Sequence, residues 1–433
     1  MKINLHDWKE LSESEREVLF RRSGEDVSQV RPAVARIIEE VETRRDAALR
    51  DFTREFDRVD LGDLPLEVSE AEFTAAEEAL DPSMKEALDY CIENTRRFHA
   101  RQVPEAMSLG EIRPGLYAGE RAVPLASVGL YVPRGRGSFP SMLYMTALPA
   151  RLAGVGEIVV VTPPNSDGSV DPACLYTARR CGVTRVFRVG GAQAIAALAL
   201  GTESVPKVVK LSGPGSRYVA AAKELLRDRI DVGLPAGPSE SIILADGSAD
   251  PEKVALDLMV EAEHGSDSAA LLFTPSRDLA EKTALWIQKM TAEIPEPRKQ
   301  YLTDVFSGYG GIIVTETLEE AARLVNRYAP EHLQIQTRDP FEVLGWIQDA
   351  GEILLGSHIP FSVANYATGV NAVLPTGGGA RNYSAVSVRD FIKYNSVVYL
   401  TEEGLKGAAG PVKTMADYEG FITHGNAVKK RGL

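Results

Sequence analysis

ASVGLYVP (126–133), PSMLYMTALPARLAG (140–154), EIVVVTPP (157–164) and DPACLYTARRCG (171–182) stand in succession in this chain. Each apolar, β-branched run of strand length is followed by a segment of helix length. The alternation continues: TRVFRV (184–189) precedes GGAQAIAALALG (190–201), and KVVKLS (207–212) precedes GPGSRYVAAAKELL (213–226). Strands of a parallel sheet are apolar on both faces and are joined by crossover helices, so this texture predicts βαβ units. It resumes with SESIILAD (239–246), a helix over 251–264, AALLFTPS (269–276) and a helix over 278–292. GGIIVTET (310–317), a helix over 317–327, LQIQT (333–337) and GEILLG (351–356) complete it. Two α/β sheets are expected, the second starting near PAGPSE (235–240).

The flanks differ. Residues 1 to 120 are charged, with apolar residues at helical spacing in 30–55 and 70–98, and predict helices. After residue 380 the alternation stops, and ARNYSAVSVRDFIKYNSVVYLTEEG (380–404) with a helical tail reads as a smaller terminal unit.

At 433 residues the chain exceeds what one core holds, so several domains are expected. Its 48 basic against 61 acidic residues leave a formal charge of −13, which disfavours nucleic acid and anionic membrane as partners. No apolar run has the roughly 18 residues of a membrane span. The opening MKINLHDWKELSESERE has neither the apolar core nor the cleavage site of a secretory leader, which predicts a cytoplasmic protein. Cys91, Cys174 and Cys181 are odd in number and form no CxxC, so packed, reduced thiols are expected rather than a disulfide, a metal cluster or a nucleophile.

Five segments carry possible chemistry. GGAQA (190–194) and SGPGS (212–216) each join a strand to a helix, where backbone N–H groups bind anions. Neither matches G-x-G-x-x-G, and turn glycines there are commonly structural. In MVEAEHGSDS (259–268), Glu261 and His264 share a helix face and suit a divalent metal, though the same spacing gives ordinary surface pairs. In YAPEHLQI (328–335), Glu331 and His332 follow a proline and lead into a strand, a placement that suits acid–base work or a plain surface loop. NYATGVNAVLPTGGGAR (365–381) is too polar for a core element and reads as a loop that shapes a site. The tail YEGFITHGNAV (418–428) brings Glu419 and His424. Three of the six histidines, His264, His332 and His424, fall in these segments, and only a fold can bring them together.

VGLYVP, PARLAGV, GGAQAIAALA, GPG, PAGPSE, AEHG-DS, YAPEHL, GEILLG, NYATG-N-VLPT and the NAV of the tail form an ordered series from 126 to 428. In that order they resemble histidinol dehydrogenase; the first 120 residues fit only loosely. The resemblance implies an α/β fold of two incomplete Rossmann-like domains, a helical N-terminal region and a small C-terminal segment exchanged in a homodimer. The expected division is an N-terminal helical arm (1–25), a first α/β domain (26–129 with 236–380), a second with the NAD-binding positions (130–235), and a dimer-crossing segment (381–433).

The activity implied is zinc-dependent, NAD-linked oxidation of an amino alcohol, L-histidinol, to L-histidine through the aldehyde, without a cysteine thioester. Carried onto this chain, the zinc ligands are Glu261, His264, Asn365 and His424, the last from the other subunit. Glu331 and His332 are the catalytic pair, with His332 taking the alcohol proton and Glu331 activating water. Ser141, Ser239 and Glu419 join these residues at substrate-contacting positions, while Tyr131, Gln193 and Ser216 contact NAD. The family usually has Gln at position 261 and Asp at 365, so the two departures exchange carboxylate and amide. Either the metal site persists with its charge redistributed, or it has decayed. Ala372 stands where a substrate-contacting His is usual, and Ser216 where an Asn is usual. These departures leave open a dehydrogenase for another small polar or anionic alcohol, such as a sulfonated diol, with Arg134 or Arg136 facing the anion. They also leave open a non-catalytic relative, against which the intact Glu331, His332, Gln193 and Tyr131 argue.

Overall fold

A computed structural model describes residues 2–20, 28–134, 137–183 and 185–431, so Arg136 lies outside the described residues. The chain forms two units, one of Met1–Gln102 with Ala126–Phe391 and one of Val103–Leu125 with Ile392–Leu433. Strands are numbered in chain order.

The first unit contains both expected parallel sheets. The larger has the spatial order β1 (Leu5–Asp7), β10 (Gly311–Val314), β9 (Ala269–Thr274), β8 (Glu240–Ala245), β11 (His332–Gln336) and β12 (Glu352–Leu355). The smaller runs β6 (Arg185–Phe187), β5 (Glu157–Val161), β4 (Ser127–Tyr131) and β7 (Lys210–Ser212). In both, the chain builds outward from one strand and then returns to its other side. The reversals fall between β8 and β11 and between β4 and β7; open α/β sheets leave a crevice at such a point, outside the carboxyl ends of the strands.

The helices start where local chemistry says they should. Asp250 accepts the Glu252 N–H and Pro251 occupies the first turn, which opens the Pro251–Ala262 helix. Thr317 caps the Leu318–Tyr328 helix through the Glu320 N–H. That helix ends on Ala329 in the left-handed region (φ 51°), a strained conformation for a residue with a Cβ, immediately before Pro330-Glu331-His332.

The N-terminal third is distributed differently from the expected division. Leu5–Asp7, in the arm expected to be helical, pairs as an edge strand of the larger sheet with Ile312–Val314. Residues 30–66, expected with 236–380, join the core of the smaller sheet through Val34, Ile37, Val41 and Leu49. The reason lies in the Gly191–Leu200 helix, GAQAIAALAL, which is buried on all sides. A helix without a polar face needs a second layer above it, and the amphipathic Arg31–Arg44 helix supplies that layer. The second unit also takes residues from the expected first domain: β2 (Met107–Arg113) and β3 (Leu116–Pro124) form an antiparallel sheet with β13 (Ile392–Leu400), followed by the Glu402–Glu419 and Ile422–Lys429 helices. No helix among the described residues is long and apolar enough to cross a membrane. The three cysteines are free, and burial pushes the thiols of Cys174 and Cys181 up to about 12, where they are inert as nucleophiles.

Candidate active site

Parallel pairing puts His332 level with Ser241 of β8 on one side and Glu352 of β12 on the other. All three stand at the N-terminal edge of the larger sheet, at its reversal point. Register alone therefore brings the Glu352 carboxylate to His332, and Glu352 Oε1 lies 2.5 Å from His332 Nδ1. That contact holds a proton on Nδ1, so that when the ring is neutral Nε2 is its free, basic nitrogen. Nε2 lies 3.8 Å from Glu331 Oε1 and 4.0 Å from Glu261 Oε2. Glu331 is fixed at its other oxygen, which accepts the Glu240 N–H at 2.9 Å.

The helices run antiparallel to the strands, so the Pro251–Ala262 helix delivers its C-terminal end, with Glu261, to this edge. Glu261 is fully buried. Its Oε1 accepts the Asn365 Nδ2–H at 2.6 Å, and its Oε2 lies 3.5 Å from His264 Nδ1. His264 Nδ1 is also 2.9 Å from Ser239 Oγ. Asn365 comes from the short Phe361–Tyr366 helix, whose last carbonyl accepts the Tyr144 hydroxyl at 2.9 Å.

The charges are coupled. Burial disfavours a charge on His332, but Glu261, Glu331 and Glu352 outweigh it and push the imidazole up to about 10. Burial pushes Glu331 up to about 8; His332 and the Glu240 N–H oppose this, and the Glu261 charge reinforces it. Burial also works against the Glu261 carboxylate, yet His332, His264 and the Asn365 amide hold it below the usual range. Carboxyls thus outnumber imidazoles at a helix C-terminus, an arrangement that favours a cation.

Two buried oxygens here, Glu261 Oε2 and Asn365 Oδ1, have no hydrogen-bond donor. Buried polar atoms are seldom left unpaired. With His264 they form a mixed oxygen and nitrogen donor set of the kind a divalent metal takes, and in that sense the residues fit zinc. Among the described residues no three His, Cys, Asp or Glu side chains converge into a self-sufficient metal centre. The amide of Asn365 and a further ligand are needed to complete this one.

A second cradle lies at the C-terminal edge of the smaller sheet. Tyr131 ends β4, and its hydroxyl accepts the Gly191 N–H at 3.2 Å, at the start of the Gly191–Leu200 helix. Gln193 is buried, and neither its amide nitrogen nor its oxygen has a partner. Gly213 follows β7 with φ 114°, and a Cβ there would lie 2.2 Å from the Tyr131 carbonyl oxygen. Ser216 caps the next helix without a side-chain bond, leaving the helix N-terminus open. Orphaned amide atoms, an open helix N-terminus and close backbone approach fit a dinucleotide. Gly213→Ala is expected to cost about 1–3 kcal/mol or more, because it combines a clash with a disfavoured φ; a denaturant titration measures this.

Of the residues singled out in the sequence, Ser239, Glu261, His264, Glu331, His332 and Asn365 converge at one place. Tyr131, Gln193 and Ser216 lie around the smaller sheet's edge. Ser141 stands one turn before Tyr144 on the Pro140–Ala153 helix, hence on the face that meets the Asn365 segment. Glu419 and His424 belong to the second unit, where they line a cleft of about 280 Å³ with Met415 and Phe421. Sequence reasoning did not single out Glu352, although it lies inside the quoted GEILLG. Its only signal was a carboxylate opening a buried strand, where charge is unexpected.

A sequence profile of the family described as histidinol dehydrogenase matches residues 20–432. A protein of Synechocystis sp. named histidinol dehydrogenase is 52% identical over 413 residues, 95% of each chain. A Mesorhizobium japonicum protein named histidinol dehydrogenase homolog 2 is 48% identical, over 99% of this chain and 98% of its own. Among solved structures, a histidinol dehydrogenase from Elizabethkingia anophelis superposes with a TM-score of 0.94 at 33% identity, covering 99% of this chain and 98% of its own.

Proposed function

The chain belongs to the histidinol dehydrogenase family, and from that premise we propose that it is a cytoplasmic enzyme that oxidises L-histidinol to L-histidine through L-histidinal, with zinc and NAD. The observation that carries this reading is the buried Glu352–His332–Glu331 array beside the unpaired oxygens of Glu261 and Asn365. Zinc would be held by Glu261, His264 and Asn365, with His424 of the partner subunit as the fourth ligand in a homodimer. When bound, zinc supplies a Lewis acid and NAD a hydride acceptor.

The chain's own residues do the rest. Glu352 takes the Nδ1–H and aims Nε2 at the space between Glu331 and Glu261, so neutral His332 accepts the alcohol proton. Glu331, fixed by the Glu240 N–H, keeps one oxygen toward His332 and, in its ionised form, which gains as pH rises past about 8, takes a proton from water in the second oxidation. Ser239, hydrogen-bonded to His264, together with Ser141, orients the substrate. Tyr131, Gln193 and Ser216 receive the cofactor.

Glu352→Gln tests the array. A neighbouring carboxylate raises an imidazole pKa, so removing its charge lowers that of His332. The step needs neutral His332, so kcat/KM rises with pH as the ring deprotonates. In Glu352→Gln that rise is expected to move to lower pH by about one pH unit or more. A pH–rate profile unchanged by the substitution would remove Glu352 from the mechanism.

NADH formed per L-histidinol consumed by the zinc-loaded protein tests the function: two equivalents with histidine as product establish it. A second reading, oxidation of another small polar or anionic alcohol such as a sulfonated diol, is favoured by the carboxylate–amide exchange at Glu261 and Asn365 and by Ala372, which offers no polar group. No NADH from histidinol, together with turnover of an anionic diol, would establish that reading. Mixing His332→Ala and His424→Ala chains tests the shared site: activity recovered in hybrid dimers requires ligands from both subunits.

A further inference from the structure

β11 is a central strand with neighbours on both sides, and such strands are normally apolar on both faces. One face obeys, with Leu333 and Ile335 in the core. The other reads His332, Gln334 and Gln336, and all three are at most 3% exposed. The Pro251–Ala262 helix lies over that face with Asp257 and Glu261, which are one helical turn apart and also buried. Two polar rows therefore face each other. At the active-site end Glu261 meets His332. One step inward, Asp257 Oδ2 accepts the Nε2–H groups of both Gln334 and Gln336 at 2.9 Å. Gln334 Nε2 also donates to the carbonyl of Ile359 at 2.9 Å, two residues before the Phe361–Tyr366 helix that carries Asn365.

One small network thus ties together the helix bearing Glu261, with His264 in the turn that follows it, the strand bearing His332, and the segment leading to Asn365. Burying a carboxylate and two amides costs folding energy that an apolar ladder of the same volume would not, so stability does not account for it. What such a ladder lacks is register, because apolar side chains slide where hydrogen bonds do not. We propose that Asp257 and Gln334 are positioning residues that lock these three elements at the spacing in which the metal donors and the His332 base meet. The inference rests on the reading of Glu261, His264 and Asn365 as metal donors and of His332 as the base.

Asp257→Leu, Asp257→Asn and Gln334→Met in the full-length protein test it. The readouts are melting temperature, zinc dissociation constant, kcat and KM separately, and the imidazole NMR signals of His332 in metal-free protein. Asp257→Leu is expected to stay folded while losing at least about tenfold in zinc affinity and in kcat, with KM less affected and the His332 signals shifted. Asp257→Asn, which keeps an acceptor oxygen, is expected to stay within about threefold of the starting protein. A folded Asp257→Leu with unchanged zinc affinity and unchanged His332 signals overturns the proposal, and so does an Asp257→Asn that falls as far as Asp257→Leu. If Asp257→Leu does not fold, Gln334→Met is judged by the same criteria. If the unsubstituted protein binds no zinc, the metal reading fails by itself. The His332 signals then decide this inference alone, and signals unmoved in Asp257→Leu overturn it.

Discussion

His332→Ala is expected to lower kcat by about 10²–10⁴-fold while NAD binding stays within about twofold of the unsubstituted protein. The imidazole is buried, takes its Nδ1 partner from Glu352 and has its Nε2 within 4.0 Å of two further carboxyls. Glu331 and Glu261 lie beside it, but each is bound elsewhere, to the Glu240 N–H and the Asn365 amide, so neither replaces the imidazole. The proposed cofactor cradle is built from other elements, around Tyr131, Gly191 and Gly213 at the edge of the smaller sheet. Stopped-flow turnover and NAD titration measured side by side separate the two effects. Equal loss of NAD affinity would mean that the substitution disturbs the fold rather than the chemistry. The expected pH response of stability runs in a definite direction. His332 is raised from 6.5 to about 10, so its contribution is fully present below about 6.5 and is lost as pH rises through 10. His332→Ala removes that dependence, and unfolding measured across pH 6–10 should become flatter.

Glu261→Ala is expected to weaken zinc binding by on the order of 100-fold, as removing an anionic donor does, and to take most of the turnover with it. Glu261 Oε1 also holds the Asn365 amide, so on the proposed ligand set the substitution removes one donor and releases a second. It further removes the carboxylate that raises the His332 imidazole most, which lowers the pKa of that ring. Glu261→Gln keeps an acceptor for Asn365 and is expected to retain more zinc than Glu261→Ala. Metal analysis after dialysis against a chelator measures both. Zinc held equally well by all three proteins would exclude Glu261 as a ligand and leave it as a structural acid.

Much of this was legible in the chain, and the illegible parts have a common cause. Runs such as EIVVV (157–161) and SIILA (241–245) are apolar on both strand faces, and that pattern admits few environments other than the middle of a parallel sheet. The helices between them are bounded by caps and prolines whose action is local. The chemistry-bearing segments were also visible, because a carboxylate or imidazole in a segment otherwise built for burial stands out. The resemblance gathered them into one site before any geometry was known. The distribution of the N-terminal third was not visible. Nothing near Val34 or Val41 says that their stripe belongs over the Gly191–Leu200 helix rather than on the larger sheet, since both offer an apolar surface. A three-residue strand such as Leu5–Asp7 carries no periodicity of its own; only its partner in β10 makes it a strand.

The site divides in the same way. Which residues are able to carry charge, accept a proton or ligate a metal follows from covalent chemistry, and the chain order alone supplies it. Which of them meet follows from strand register and helix direction. Glu261 and Asn365 lie 104 residues apart, and Glu352 reaches His332 because β12 pairs with β11 in one register and not in its neighbour. A one-residue slip there would turn Glu352 to the opposite face of the sheet. Local sequence is blind to that choice, because register is set by how whole faces pack, through contacts between segments that know nothing of each other until the chain has folded.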